Sequence, residues 1–327
     1  MRRSGADVSL SRKPEPATLS GTDHRTVLRA LGSDGLWLDV GALTLQVRSD
    51  SAVLAGQLQQ AYPAFPFVDR ADWADVHVRV ERAGGLRRWV RPQIELLSDG
   101  RPFFDPFPAD TALPLFEWGC NWLIGQRIND LLLLHAGAVE RDGLALVLPA
   151  LPGSGKSTLT AALSQRGWRL LSDEFGAFDP SAGKFSALLK PVALKNASIE
   201  VIRRFAPEAA FGPEFPNTRK GTVAHLAATP NAVARRHVAA GPGAFVLPKW
   251  QAGSPTRLEP LTEDRLFSAL AFNAFNYAVL GSTSFRAVVS LVRRCPAWHL
   301  VYSDLEEALA AIDAIWPQVL ERHASSL

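Results

Sequence analysis

The sequence predicts an α/β protein with a smaller, mostly β amino-terminal part, and three observations carry that reading. From Gly143 to Glu174 the chain reads GLALVLPALPGSGKSTLTAALSQRGWRLLSDE. This stretch is a buried-strand run, a Pro- and Gly-rich turn, a helical pattern, a second short apolar run and an acidic pair. From Val27 to about Asp110 the pattern is instead one of short alternating segments: LWLDV, LTLQV, VHVRV, RRWV and QIELL. Beyond the central stretch, Ala244–Leu247 and Trp298–Tyr302 read as further strands between helical patterns.

At 327 residues, with 47% apolar and 20% charged side chains, the chain has ample material for one large or two modest cores. No apolar run approaches the ~18 residues that cross a bilayer, and the first residues lack a secretory apolar segment, so no membrane partner and a cytoplasmic location are expected. Two cysteines, Cys120 and Cys295, are too few for a disulfide framework or a cysteine-built zinc site and read as buried thiols. A net charge of +3 gives no global case for nucleic acid. Locally, residues 195–236 are rich in bases (Arg203, Arg204, Arg219, Lys220, Arg235, Arg236), which suits a solvated face, phosphate contacts or an acidic partner.

Residues 1–24 are polar and punctuated by Pro, Ser and Gly, the composition of a disordered arm. Residues 25–112 form the small mixed domain, with one helix near Ala52–Tyr62 and turns expected at Gly84-Gly85 and Ser98-Asp99-Gly100. Arg101–Pro114 reads as a linker. Leu115–Ile128 has helical spacing and is expected to pack on the second domain, residues 113–327.

The turn of the central stretch, Ala150, Leu151, Pro152, Gly153, Ser154, Gly155, Lys156, Ser157 and Thr158, has the spacing of a phosphate-binding loop. Glycines let backbone N–H groups curl around a phosphate, and the following helix adds unpaired donors and the positive end of its dipole. Lys156 then reaches the outer phosphates of a nucleotide and Ser157 offers a hydroxyl to Mg²⁺, with Thr158 a second hydroxyl beside it. Ala150 stands where the loop's usual first glycine would be, a change of one methyl. An ordinary Gly-rich turn is the competing reading, and the surrounding strand and helix argue against it.

Leu131–Val139 forms a strand that Arg141-Asp142-Gly143 turns back into the strand before the loop. Antiparallel pairing then puts His135 beside the loop's mouth, although a histidine in a leucine run also suits a plain core position. Asp173-Glu174 closes the second strand, whose carboxyl end, in a parallel pair, opens on the same edge as the loop. One carboxylate can order Mg²⁺ while the other accepts a proton from an attacking hydroxyl. Further on, Lys195-Asn196 precedes a helical run, Ala197–Phe205, whose start suits another phosphate or a substrate backbone. Pro207–Asn217 reads as a loop, and residues 217–226 return as a strand. Thr262 opens a long helix through Leu280, and Ser303 with Glu306 forms a capping box for a last helix from Asp304 to about Trp316.

Taken together, His135, the loop and Asp173-Glu174 resemble the catalytic domain of bacterial HPr kinase/phosphorylase. The segments KNASI, RKGTVAHL and LPKWQAG are similar to the HPr-kinase-related kinases found beside peptide-modification genes. The likeness spans about Leu131–Ile202 well and the remainder loosely, and leaves out the amino-terminal region. It implies a P-loop fold akin to phosphoenolpyruvate carboxykinase, with ATP and Mg²⁺ as cofactors and transfer to a serine hydroxyl. Lys156 and Ser157 fall on the nucleotide and metal positions, Asp173 on the proton acceptor and His135 on the active-site histidine. Glu174 replaces a second aspartate near the metal. The later glycine-rich signature of HPr kinase is missing, which argues against HPr as substrate and against the reverse reaction. The resemblance further suggests a peptide or small-protein acceptor, a PqqD-like peptide-recognition partner and a homo-oligomer. A small-metabolite kinase and a nucleotide-sensing module without transfer are the alternatives.

Overall fold

The computed structural model of the chain describes residues 17–88 and 90–325. Most of the expected amino-terminal arm, residues 1–16, and Trp89 of the expected RRWV strand lie outside the described residues. The described end of that arm, residues 17–24, is packed rather than loose. Leu19 is fully buried and its N–H donates to the Phe65 carbonyl at 2.8 Å. Asp23 caps helix α1 (His24–Gly32) by accepting from the Thr26 N–H at 3.1 Å. This helix was not among the expected elements; Val27, Ala30 and Leu31 form its buried face.

Strands β1 (Leu36–Asp39) and β2 (Thr44–Ser49), helix α2 (Ala52–Ala61), and strands β3 (Val76–Arg82) and β4 (Gln93–Ser98) follow. Val76, Val78 and Val80 point inward while His77 and Arg79 face solvent, the alternation that the sequence shows. The short strands β5 (Arg101–Pro102) and β6 (Phe107–Pro108) both pair with β4. The Arg101–Pro114 segment is therefore part of the sheet rather than a linker. Five of the six strands run in the order β1-β2-β3-β4-β5, with β6 beside β4, β2 and β3 parallel, and α2 as their crossover. The Asp99-Gly100 turn has both residues at positive φ (52° and 74°), as a tight hairpin requires. Gly84-Gly85 leads into a 3₁₀ turn, Gly85–Arg88, which takes the place of the first half of the RRWV strand. Helix α3 (Ala112–Arg127) lies on this sheet instead of packing chiefly on the next domain. Gln57 of α2 fixes its start, accepting from the Leu113 N–H and donating to the Asp110 carbonyl, each at 2.9 Å.

The large sheet begins with the hairpin of β7 (Leu132–Arg141) and β8 (Leu144–Pro149), and α4 (Lys156–Gln165) follows. Strands β9 (Arg169–Ser172) and β10 (Phe175–Asp179) both pair with β7 on the edge away from β8. They run end to end, interrupted only by Asp173-Glu174. Thus β9 points the same way as β8, but β7 lies between them, where an adjacent parallel pair was expected. Strand β11 (Lys184–Ser186) pairs with β10. A separate three-stranded sheet holds β12 (Val192–Lys195), β13 (Phe215–Thr218) and β14 (Gly221–Leu226), with α5 (Ala197–Phe205) between the first two in sequence.

After α6 (Pro230–Ala234) the chain returns to the large sheet with β15 (Gly241–Trp250), parallel to β8, and β16 (Arg257–Pro260) at the far edge. The expected single helix from Thr262 to Leu280 is two, α7 (Glu263–Asn273) and α8 (Tyr277–Leu280). The break has a tertiary cause. Phe275 N–H donates to the Leu133 carbonyl at 2.9 Å, and Asn276 accepts from the Leu133 N–H at 3.1 Å while donating to the Ile128 and Leu131 carbonyls. Those bonds to the start of β7 replace helical ones. Gly281 then turns the chain into α9 (Ser282–Arg294), which the sequence reading did not separate.

Strand β17 (Ala297–Tyr302) pairs with β15 in parallel and with β16 antiparallel. Helix α10 (Leu305–Ala324) is capped by Asp304, not Ser303: Asp304 accepts from the Glu307 N–H at 3.0 Å, while Ser303 donates to the Ser254 carbonyl. The helix continues through Pro317 past its expected end. The molecule is thus α/β with mixed sheets, and one continuous apolar core joins both parts. Among the described residues no helix is long and apolar enough to cross a membrane.

Candidate active site

Residues 150–155 bridge the end of β8 and the start of α4. Only Gly153 and Gly155 in this loop have positive φ, at 83° and 87°. Ala150 does not, so alanine is accommodated there without backbone strain. Gly155 has a second reason to be glycine: an added Cβ would lie 2.5 Å from the Tyr302 hydroxyl oxygen. That hydroxyl donates to the Gly155 carbonyl at 3.1 Å, and the Trp250 N–H donates to the Ser154 carbonyl at 2.8 Å. The ends of β15 and β17 therefore brace the loop from one side, while Leu151, Pro152 and Gly153 stay exposed.

Helix α4 has no side-chain cap. Its first main-chain bond runs from the Leu159 N–H to the Gly155 carbonyl at 2.9 Å. The N–H groups of Lys156, Ser157 and Thr158 precede that bond and have no intrahelical acceptor, which is the form of an anion-binding helix start. Ser157 and Thr158 are half-buried beside it.

Lys156 is buried and points away from solvent, into the break between β9 and β10. Its Nζ donates to the Asp173 main-chain carbonyl and, at 3.1 Å, to the Asp173 carboxylate. Burial raises the Asp173 pKa, against the opposing effects of the Lys156 charge and the Ser157 hydroxyl and with a further push from Glu174. A carboxyl held above its usual range is the better proton acceptor near neutral pH.

His135 stands opposite Phe175 on β7, and the Ala136 N–H meets the Glu174 carbonyl at 3.3 Å. Because Ala136 pairs with Pro149, the hairpin register brings His135 level with Ala150. The His135 Nε2 lies 3.8 Å from the Glu174 carboxylate. Burial, then the Lys156 charge, lowers its pKa, so the ring is neutral at pH 7 and acts as a hydrogen-bonding group rather than a cation.

The structure therefore gathers His135, Lys156, Ser157, Asp173 and Glu174 at one end of the large sheet. Among the described residues no group of three or more His, Cys, Asp or Glu side chains could hold a metal unaided. A hydroxyl beside one buried and one accessible carboxylate is still a hard-oxygen donor set of the kind that holds Mg²⁺ jointly with phosphate and water. The residues present fit that ion, and Ser157 and Glu174 are the side chains that would hold it.

On the other side of Asp173 lies an open cleft with a cavity volume of about 130 Å³. Ser172, Asp173 and Glu174 form one wall, α3 and β6 a second through Phe107, Pro114 and Trp118, and the three-stranded sheet a third through Lys195, Lys220 and His225. None of residues 150–158 lines it. Lys190 in its floor is buried and paired with Glu117 at 3.0 Å, and also donates to Asn121. Tyr62 donates to the other Glu117 oxygen.

Lys195 reaches this cleft but Asn196 does not line it. The Asn196 side-chain carbonyl accepts from the Thr222 N–H at 3.1 Å, which gives it a role in holding the β13–β14 hairpin. Sequence reasoning missed the contributions of Glu117, Trp118, Asn121 and His225, while Lys220 was among the bases it singled out. The one visible signal was an acid and an amide four apart, Glu117 and Asn121, on an otherwise apolar helix.

No protein-family model matches the chain, and no curated protein matches it.

Proposed function

We propose that this protein is an ATP- and Mg²⁺-dependent phosphotransferase of the HPr-kinase-like P-loop class, acting on a Ser or Thr hydroxyl of a peptide or small protein. The observation that carries the proposal is the contact between Lys156 and Asp173. It brings an uncapped helix start, a cation and a carboxyl of raised pKa within one side chain of each other.

In this reading the triphosphate occupies the N–H groups of residues 153–158, and Lys156 turns toward its outer phosphates. Bound Mg²⁺ would supply neutralising charge for the phosphates, with Ser157 and Glu174 as its protein contacts. Asp173 faces both the loop and the cleft, so a hydroxyl in the cleft meets its carboxylate. The hydroxyl oxygen bonds to the γ-phosphorus as the bond to the departing ADP breaks, and the hydroxyl proton passes to Asp173. His135, neutral and 3.8 Å from Glu174, is placed to hydrogen-bond the transferring group. A nucleotide sensor would leave this buried carboxyl and the adjoining cleft without a role, which favours transfer over sensing. The resemblance of the central motif to kinases near peptide-modification genes supports a PqqD-like partner and a cytoplasmic setting.

The test is transfer of radiolabelled γ-phosphoryl from ATP to peptide and protein acceptors. Asp173→Asn is expected to reduce labelling by about 100- to 10,000-fold while ATP still binds. Undiminished labelling by that variant removes Asp173 as the base.

A further inference from the structure

The wall of the cleft facing Asp173-Glu174 carries two lysines without counter-ions. Lys195 ends β12 and Lys220 sits in the turn between β13 and β14. Neither has an acidic side chain within ion-pair distance among the described residues. Lys190 beneath them is, by contrast, fully engaged by Glu117 and Asn121.

The two lysines are held on this wall by a built junction. The Asn196 N–H donates to the Thr222 carbonyl at 2.9 Å, and its side chain accepts from the Thr222 N–H. Gly221, at φ 83°, allows this contact, since a Cβ there would lie 2.2 Å from the Asn196 side-chain oxygen. The Lys220 ammonium lies 4.4 Å from the centroid of the Trp118 ring. Desolvation, then the nearby Lys195 charge, lowers the Lys220 pKa against a smaller opposing effect of Glu174 on the facing wall. Deeper in, His225 is 2% exposed and its Nδ1 has no hydrogen-bonding partner. Such buried polar atoms are normally satisfied, and an unpaired one lining a cleft marks a place for a ligand.

We propose that this cleft binds the phosphoryl acceptor through an acidic group carried beside its hydroxyl, with Lys195 and Lys220 receiving the acid. The proposal rests on the phosphotransferase reading and names its substrate class. The nucleotide does not account for these cations, because the loop residues that would hold it do not line the cleft. The apolar wall of Phe107, Pro114 and Trp118, in a cleft open to solvent, suits a small molecule or a short segment of chain. A hydroxy acid and a Ser residue flanked by Asp or Glu present the same chemistry.

The test is a binding measurement on the full chain, with Mg²⁺ and a non-hydrolysable ATP analogue present. Fluorescein-labelled peptides with Ser flanked by Asp, Ala or Lys are compared by anisotropy, and free D-glycerate serves as a competitor. The Asp peptide is expected to bind about 10- to 100-fold more tightly than the Lys peptide, the worth of hydrogen bonds to charged groups. Lys195→Ala and Lys220→Ala are each expected to weaken it about tenfold with unchanged affinity for the ATP analogue, and Lys220→Arg to retain the preference. Displacement by glycerate assigns the acid to a small molecule, and displacement by unlabelled Asp peptide alone assigns it to a polypeptide. Equal binding of the three peptides, no binding of either acidic probe, or variants that weaken the nucleotide instead would overturn the proposal. Binding is read without transfer, so a lost preference with Asp173-dependent labelling intact sinks this inference alone. A retained preference without such labelling sinks the kinase reading alone.

Discussion

Strand β9 begins and ends in a buried ion pair, and the two pairs are built differently. At its start Arg169 donates to Glu140 and to the carbonyls of Arg235 and Val238, at 3.0 and 2.9 Å. Glu140 accepts in addition from the Gly143 N–H at 2.8 Å and lies 3.4 Å from Arg235. Just past its end, Asp173 has Lys156 and the Ser157 hydroxyl. Burial pushes both carboxyls up. At Glu140 the Arg169 hydrogen bond, the Gly143 N–H and the two guanidinium charges outweigh it and leave the pKa below the usual range. At Asp173 the stronger desolvation, with a push from the Glu174 charge, outweighs Lys156 and Ser157, and its pKa stays raised. Desolvation, a neighbouring carboxylate and fewer donors together separate a pair that keeps capacity for a proton from one that pins β9 to β7.

The comparison breaks most visibly through stability. Arg169→Met leaves Glu140 buried without its main partner and is expected to cost about 3–5 kcal/mol in urea unfolding, with unchanged turnover per folded molecule. Lys156→Met should act the other way. Its expected loss in labelling rate is about 100- to 1,000-fold, the effect of removing one donor aimed at developing charge.

The pH profile of kcat/KM sharpens the contrast. Asp173 must be ionised to accept a proton, so activity falls as pH drops through its raised pKa. Glu174→Gln removes a charge that holds that pKa up and is expected to move the acid limb to lower pH. The smallest effect is expected from Ala150→Gly. Because Ala150 does not occupy positive φ, the change should alter the KM for ATP by less than about twofold, within the few tenths of a kcal/mol that separate Gly from Ala at unstrained positions.

Much of the site was legible in the sequence because it is local. The Arg141-Asp142-Gly143 turn sets the β7–β8 register, and that register alone brings His135 level with Ala150. The glycine spacing before Lys156 likewise places the two positive-φ residues where the loop needs them. What was not legible depends on partners far along the chain. Lys190 meets Glu117 across 73 positions, and Asn276 breaks a helix by bonding to Leu133, 143 positions away. Helical propensity through residues 262–280 carries no trace of that competition. The bond of Asn196 to Thr222 was hidden for the same reason: it forms only once the hairpin returns. Lys220 looked like one more base in a basic stretch until the fold set it over Trp118.

The Glu117–Lys190 pair makes the junction between the two parts of the molecule a seam rather than a hinge. It lies beneath the cleft, with Tyr62 and Asn121 closing the remaining positions. Swinging the amino-terminal sheet away would strand an ammonium and a carboxylate in apolar surroundings, a penalty of several kcal/mol per ion. Entry to the cleft therefore falls to its exposed rim, where the β13–β14 turn carries Lys220 and the end of β12 carries Lys195.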